Sequence, residues 1–83
     1  MDKSSNARIV ELLVRETRWA FGCSVGTILN LVSSIDQRQE LDLSPLEGLD
    51  LDQRSRLVET LEVIRNRRDK LADLAQRIID QVS

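Results

Sequence analysis

A chain of 83 residues is long enough for one domain and too short for two, and at this size helical packing or oligomerisation must supplement a small core. Charged residues make up 31% of it and hydrophobic residues 41%, with Trp19 and Phe21 the only aromatics, a balance close to that of helical bundles and unlike that of disordered chains. The net charge of −2 and a pI of about 5.0 remove the simplest electrostatic case for a nucleic-acid or anionic-membrane partner.

The first helix is expected to start after Ser4, Ser5 or Asn6, each able to cap it by accepting a bond from an unpaired backbone N–H. Ile9, Val10, Leu12, Leu13 and Val14 cover more than one stripe of this segment, and Ile28, Leu29, Leu31, Val32 and Ile35 do so again. A helix apolar over that much of its circumference must be covered on two sides. Gly22 and Gly26 leave two alternatives. Either the chain breaks near Gly22-Cys23-Ser24 and Ser24 caps a second helix, or one helix continues and the glycines form a notch, one turn from Trp19 and Leu29, for close approach of another backbone. Matched helix lengths favour continuity, which makes 6–35 one long helix rather than a helix pair.

Residues 36–51 read as a structured connection. Ser44, Pro45 and Glu47 have the pattern of a capping box with proline at the first helical position, and Gly48 stops the turn at 45–48. Leu41, Leu43, Leu46, Leu49 and Leu51 are too many apolar side chains for a solvated linker and are expected to fold over the end of a hairpin. Asp50 with Gln53, or Asp52, caps the last helix. From there Leu57, Leu61, Ile64, Arg68, Leu71, Ala75, Ile78 and Val82 recur at alternating steps of four and three, a heptad seam that predicts one continuous helix over 52–82, roughly 45 Å long at 1.5 Å per residue. Val58, Ala72, Leu74 and Ile79 widen the seam beyond that of a two-stranded coiled coil.

Few groups on the chain could carry catalysis. Histidine is missing, which excludes histidine acid–base chemistry, triads and histidine metal sites. Glu59 and Glu62 form an E-x-x-E with Asp69 and Asp73 beyond it, a pattern that could hold a divalent cation, but in the register of Leu57 and Leu61 these carboxylates and Asp80 point outward. No metal, cofactor or enzymatic activity is therefore expected. Arg65, Arg67, Arg68, Lys70 and Arg77 scatter around the helix and make no stripe for a phosphate backbone. Arg68 interrupts the seam; in an antiparallel hairpin it comes within about a turn of Glu16, and the two could form a register-fixing pair. Cys23, the only cysteine, allows no intramolecular disulfide and reads as a small buried apolar residue. The uncharged stretch from Trp19 to Ile35 is too short and too polar for a membrane span.

The combined expectation is a single all-α domain, 1–83, built as a long antiparallel helical hairpin, broken or unbroken near Gly22, that dimerises into a four-helix bundle. Its function is expected to be non-enzymatic protein–protein interaction, as an adaptor, regulator or small chaperone in the cytoplasm. Trp19, Gly22, Gly26, Leu57, Leu61, Ile64, Leu71 and Ile78 are the expected contacts to a second copy or another protein. The alternatives are a nucleic-acid-binding regulator that gathers arginines by dimerisation and, more weakly, a membrane-associated protein.

Overall fold

The computed structural model describes residues 5–19, 24–67 and 69–83. Four α-helices and one 3-10 turn occupy them: α1 (Ser5–Arg18), α2 (Val25–Ser33), the 3-10 turn (Ser44–Gly48), α3 (Leu51–Arg65) and α4 (Lys70–Val82). The all-α class is as expected, and two of the helix boundaries differ.

The first difference lies at the expected long N-terminal helix. α1 ends at Arg18 and α2 begins at Val25, so the chain takes the broken alternative, and Ser24 caps α2 by accepting a hydrogen bond from the Thr27 N–H at 3.4 Å. Gly22 and Cys23 lie outside the described residues. Gly26 sits exposed in the first turn of α2, where a Cβ would meet only Ser24 Oγ, at 3.8 Å. That is ordinary contact, so within this chain Gly26 is no notch for a second backbone.

The second difference is larger. The helix expected to run unbroken over 52–82 is two helices, with α3 closing at the C-cap Asn66 and α4 opening at Asp69, whose carboxylate accepts from the Leu71 N–H at 2.9 Å. Arg67 Nε donates to the other oxygen of Asp69 at 3.1 Å. α3 and α4 are thus separate helices with a polar cap on each side of the break, Asn66 and Asp69, and α4 folds back antiparallel along α3. Arg65 Nη1 reaches Gln76 Oε1 at 2.8 Å beside the turn, while Val82 and Ser83 border Leu51, Ser55 and Val58 at the far end.

The energetic reason for the break is burial. A straight helix of this length in a lone chain would leave its stripe in water, whereas reversal buries Leu74, Ala75, Ile78, Ile79 and Val82 against Leu57, Leu61 and Ile64. Each large aliphatic side chain so buried contributes about 1.5–3 kcal/mol. The few backbone hydrogen bonds lost at the turn cost about 0.5–1.5 kcal/mol each. Burial wins, and the longest dimension of the molecule is 33 Å, shorter than the roughly 45 Å of an unbroken helix.

α1 and α2 pack on this hairpin, contributing Ile9, Val10, Leu13, Ile28 and Val32 to one contiguous core. Leu43, Leu46 and Leu49 from the connection seal its end, with Leu41 packed against it. Leu51 departs from the expectation for this group, being 80% exposed. The radius of gyration, 11.7 Å, matches the roughly 12 Å of a compact domain of this length. A single chain therefore supplies the partner helices that its apolar faces require.

Local hydrogen bonds fix the ends. Asp50 and Gln53 form the expected capping box on α3, the Asp50 carboxylate accepting from the Gln53 N–H at 2.8 Å and the Gln53 side-chain oxygen from the Asp50 N–H at 3.0 Å. Ser44 departs from its expected role as a cap and is the first residue of the 3-10 turn; its N–H donates to Asp42 Oδ1 at 3.0 Å. The Ser44 hydroxyl and N–H hold the Asp42 carboxyl below its ordinary pKa of 3.8, and the backbone N–H of Arg38 does the same for Asp36. Asn6, read as a possible cap, is buried within α1 instead. Its amide donates to the carbonyls of Asp36 and Glu40 at 2.9 and 3.1 Å, and its oxygen accepts from the Asp36 N–H at 2.9 Å. One side chain thus staples the start of α1 to the connection after α2.

Asn6→Ala removes all three bonds and leaves partly buried backbone groups unpaired, which should cost about 1–3 kcal/mol in denaturant unfolding. A loss below about 0.5 kcal/mol, the range of an ordinary surface change, would contradict the role assigned to this staple.

Candidate interaction surfaces

The outward side of α1 carries Glu11, Val14, Arg15 and Arg18 at steps of three, one and three, which places them along one flank of the helix. With Trp19 they line an open groove of about 490 Å³. Val14 packs on the core from this flank, Arg15 and Arg18 are exposed, and Trp19, just past the helix end, is 54% exposed.

Trp19 is held in place by its backbone. Its N–H donates to the Glu16 carbonyl at 3.2 Å, closing the last turn of α1. Its carbonyl accepts from Arg56 Nη1 at 3.4 Å, and the Thr17 carbonyl accepts from Arg56 Nη2 at 3.2 Å. A guanidinium from α3 therefore satisfies carbonyls at the C-terminus of α1, where the helix dipole favours a cation. Arg18 reaches the other way, donating to the Gly48 carbonyl at 3.2 Å. Arg54 donates to the carbonyls of Leu49, at 2.9 Å, and Glu47. Three arginines thus tie α1, the 3-10 turn and α3 into one corner of the molecule.

A second open groove, of about 410 Å³, runs along the first turns of α3 and the end of α4, lined by Leu51, Arg54, Ser55, Val58, Glu59, Val82 and Ser83. Leu51 projects from its rim as the most exposed large apolar side chain among the described residues, bracketed by the exposed Asp50 and Asp52. Besides Trp19 and Leu51, Val25 and Val63 are the large apolar residues exposed among the described residues; single apolar side chains of that kind are ordinary on a protein surface.

The residues expected to form contacts separate into three groups. Trp19 and Gly26 lie on the surface, whereas Leu57, Leu61, Ile64 and Ile78 are fully buried and Leu71 is partly buried against the same core. The seam is occupied by the chain's own helices and is closed to a partner in this fold. Gly22 and Arg68 lie outside the described residues. Glu16 is half-buried on α1, and the continuous seam that gave a Glu16–Arg68 pair its register role is divided between α3 and α4.

Among the basic residues, Arg65 pairs with Glu62 at 3.8 Å and Arg67 with Asp69, so acidic neighbours accompany them. Glu59, Glu62, Asp73 and Asp80 are exposed. Among the described residues no group of three acidic or cysteine side chains is placed to hold a metal ion, and no helix is long and apolar enough to cross a membrane.

Sequence reasoning missed Arg56, Arg18 and Leu51. Nothing in the pattern distinguishes Arg56 from its neighbours, because its role depends on where α1 ends in space. Leu51 did carry a signal: it follows the cap Asp50 and falls six residues before Leu57, about a third of a turn off the seam.

Arg56→Ala should destabilise the fold by about 0.5–1.5 kcal/mol and lower the fluorescence anisotropy of Trp19, the chain's only tryptophan. Unchanged anisotropy would show that Arg56 does not hold this residue. No family model, curated protein or solved structure matches the chain.

Proposed function

We propose that this chain is a non-enzymatic protein-interaction module, an adaptor, regulator or small chaperone, that docks through the outer flank of α1 and its terminal Trp19. The observation that carries this reading is the half-exposed Trp19, its backbone carbonyl held by Arg56 and its side chain in a groove with Val14, Arg15 and Arg18. A tryptophan supplies large apolar area at little entropic cost, and tryptophan and arginine are the residues most enriched where binding energy concentrates. An apolar floor rimmed by cations suits a protein surface with an apolar side chain between carboxylates. It suits a nucleic-acid backbone less, because the acidic Glu11 shares the groove. A lone cysteine fits action in the reducing cytoplasm.

A photo-crosslinking side chain at position 15 tests this in the native cell, with the same group at the exposed Arg77 as control. Position 15 should give discrete crosslinked protein products that Trp19→Ala abolishes. Equal products from positions 15 and 77, or products indifferent to Trp19→Ala, would overturn the reading.

A further inference from the structure

The α1 groove and the exposed Leu51 are chemically complementary and belong to the same corner of the molecule. The groove offers an apolar floor, Val14 and Trp19, beside Arg15 and Arg18. Leu51 offers an apolar knob, 80% exposed, between Asp50 and Asp52. Asp50 retains acceptor capacity while its carboxylate caps Gln53. Their separation is limited because the Arg18 guanidinium is bonded to the Gly48 carbonyl, and Leu51 is three residues further on, at most about 11 Å of extended chain.

A knob cannot fill the groove of its own chain, since the cap at Asp50 fixes the start of α3 and turns Leu51 to solvent. A second copy can. When two complementary features are neighbours on one surface, a twofold axis between them lets each copy insert its knob into the other's groove, closing the assembly at two. We infer that the partner at the Trp19 groove is a second copy of this chain, paired by reciprocal insertion of Leu51 between Val14 and Trp19, with Asp50 and Asp52 facing Arg15 and Arg18. This rests on the interaction reading above and names the partner. It also moves self-association from the heptad seam, which the fold buries, to the corner where α1, the 3-10 turn and α3 meet.

Sedimentation of the purified chain from about 1 µM to 1 mM, the range of weak and transient pairs, tests the inference, with the fluorescence of the only tryptophan as a second readout. The wild type should pass from monomer to dimer with a blue shift of Trp19, and added salt should weaken the pair. Leu51→Asp and Trp19→Ala should each weaken it at least about tenfold, with unchanged circular dichroism showing that both still fold. The two variants mixed one to one should pair more tightly than either alone, because one retains the groove and the other the knob. A monomeric wild type across the range, assembly beyond two copies, or a mixture no tighter than its components would overturn the inference. If the chain is monomeric alone but the Trp19-dependent crosslinks persist in cells, the interaction function stands and its partner is a different protein.

Discussion

An amphipathic helix of some thirty residues has to cover its apolar stripe with something, and in this chain the cover for one half is the other half. Reversal between Asn66 and Asp69 lays α4 along α3 and converts a repeat that resembles a coiled-coil seam into the interior of a hairpin. The rest of the structure depends on that reversal. It creates the surface on which α1 and α2 pack, it brings Val82 beside Leu51, and it removes Leu57, Leu61, Ile64 and Ile78 from any role at an interface.

With the seam closed, what remains outside is decided at the corner of α1, the 3-10 turn and α3. Arginines span it because helix and turn ends leave carbonyls unpaired, and Arg18, Arg54 and Arg56 satisfy them from three directions. The same bonds that complete the fold position Trp19 and tie α1 to the 3-10 turn that precedes Asp50–Asp52. Structural need and surface chemistry therefore coincide at this corner, and the proposed function and the proposed self-pairing both draw on it.

Much of the fold was legible in the sequence, for reasons that can be traced to particular residues. The Asp50 capping box, the turn around Pro45 and the inward leucines of the connection follow local rules in which a few neighbouring residues decide the outcome. The helix breaks were less legible because heptad spacing records only which residues share a face, and a hairpin with a short connection preserves that spacing on both arms. The polar Asn66, Arg67 and Asp69 were the visible trace of the break between α3 and α4. Arg68, read as a register device paired with Glu16, lies outside the described residues. Of the expected contacts, Trp19 and Gly26 keep surface positions; Leu51 carried a signal in its offset from the seam, while the role of Arg18 became visible only once tertiary folding brought α1 against Gly48.

The reversal at 66–69 can be measured directly. Spin labels at Ser55 and Asp80, both exposed, report whether α4 returns along α3, provided labelled chains are diluted with unlabelled ones so that only distances within a chain are read. A hairpin places the labels within about 25 Å of each other, whereas an unbroken helix separates them by about 38 Å at 1.5 Å per residue. A single short distance is the predicted result. A distribution centred near the longer distance would contradict the fold and, with it, the surfaces inferred from it.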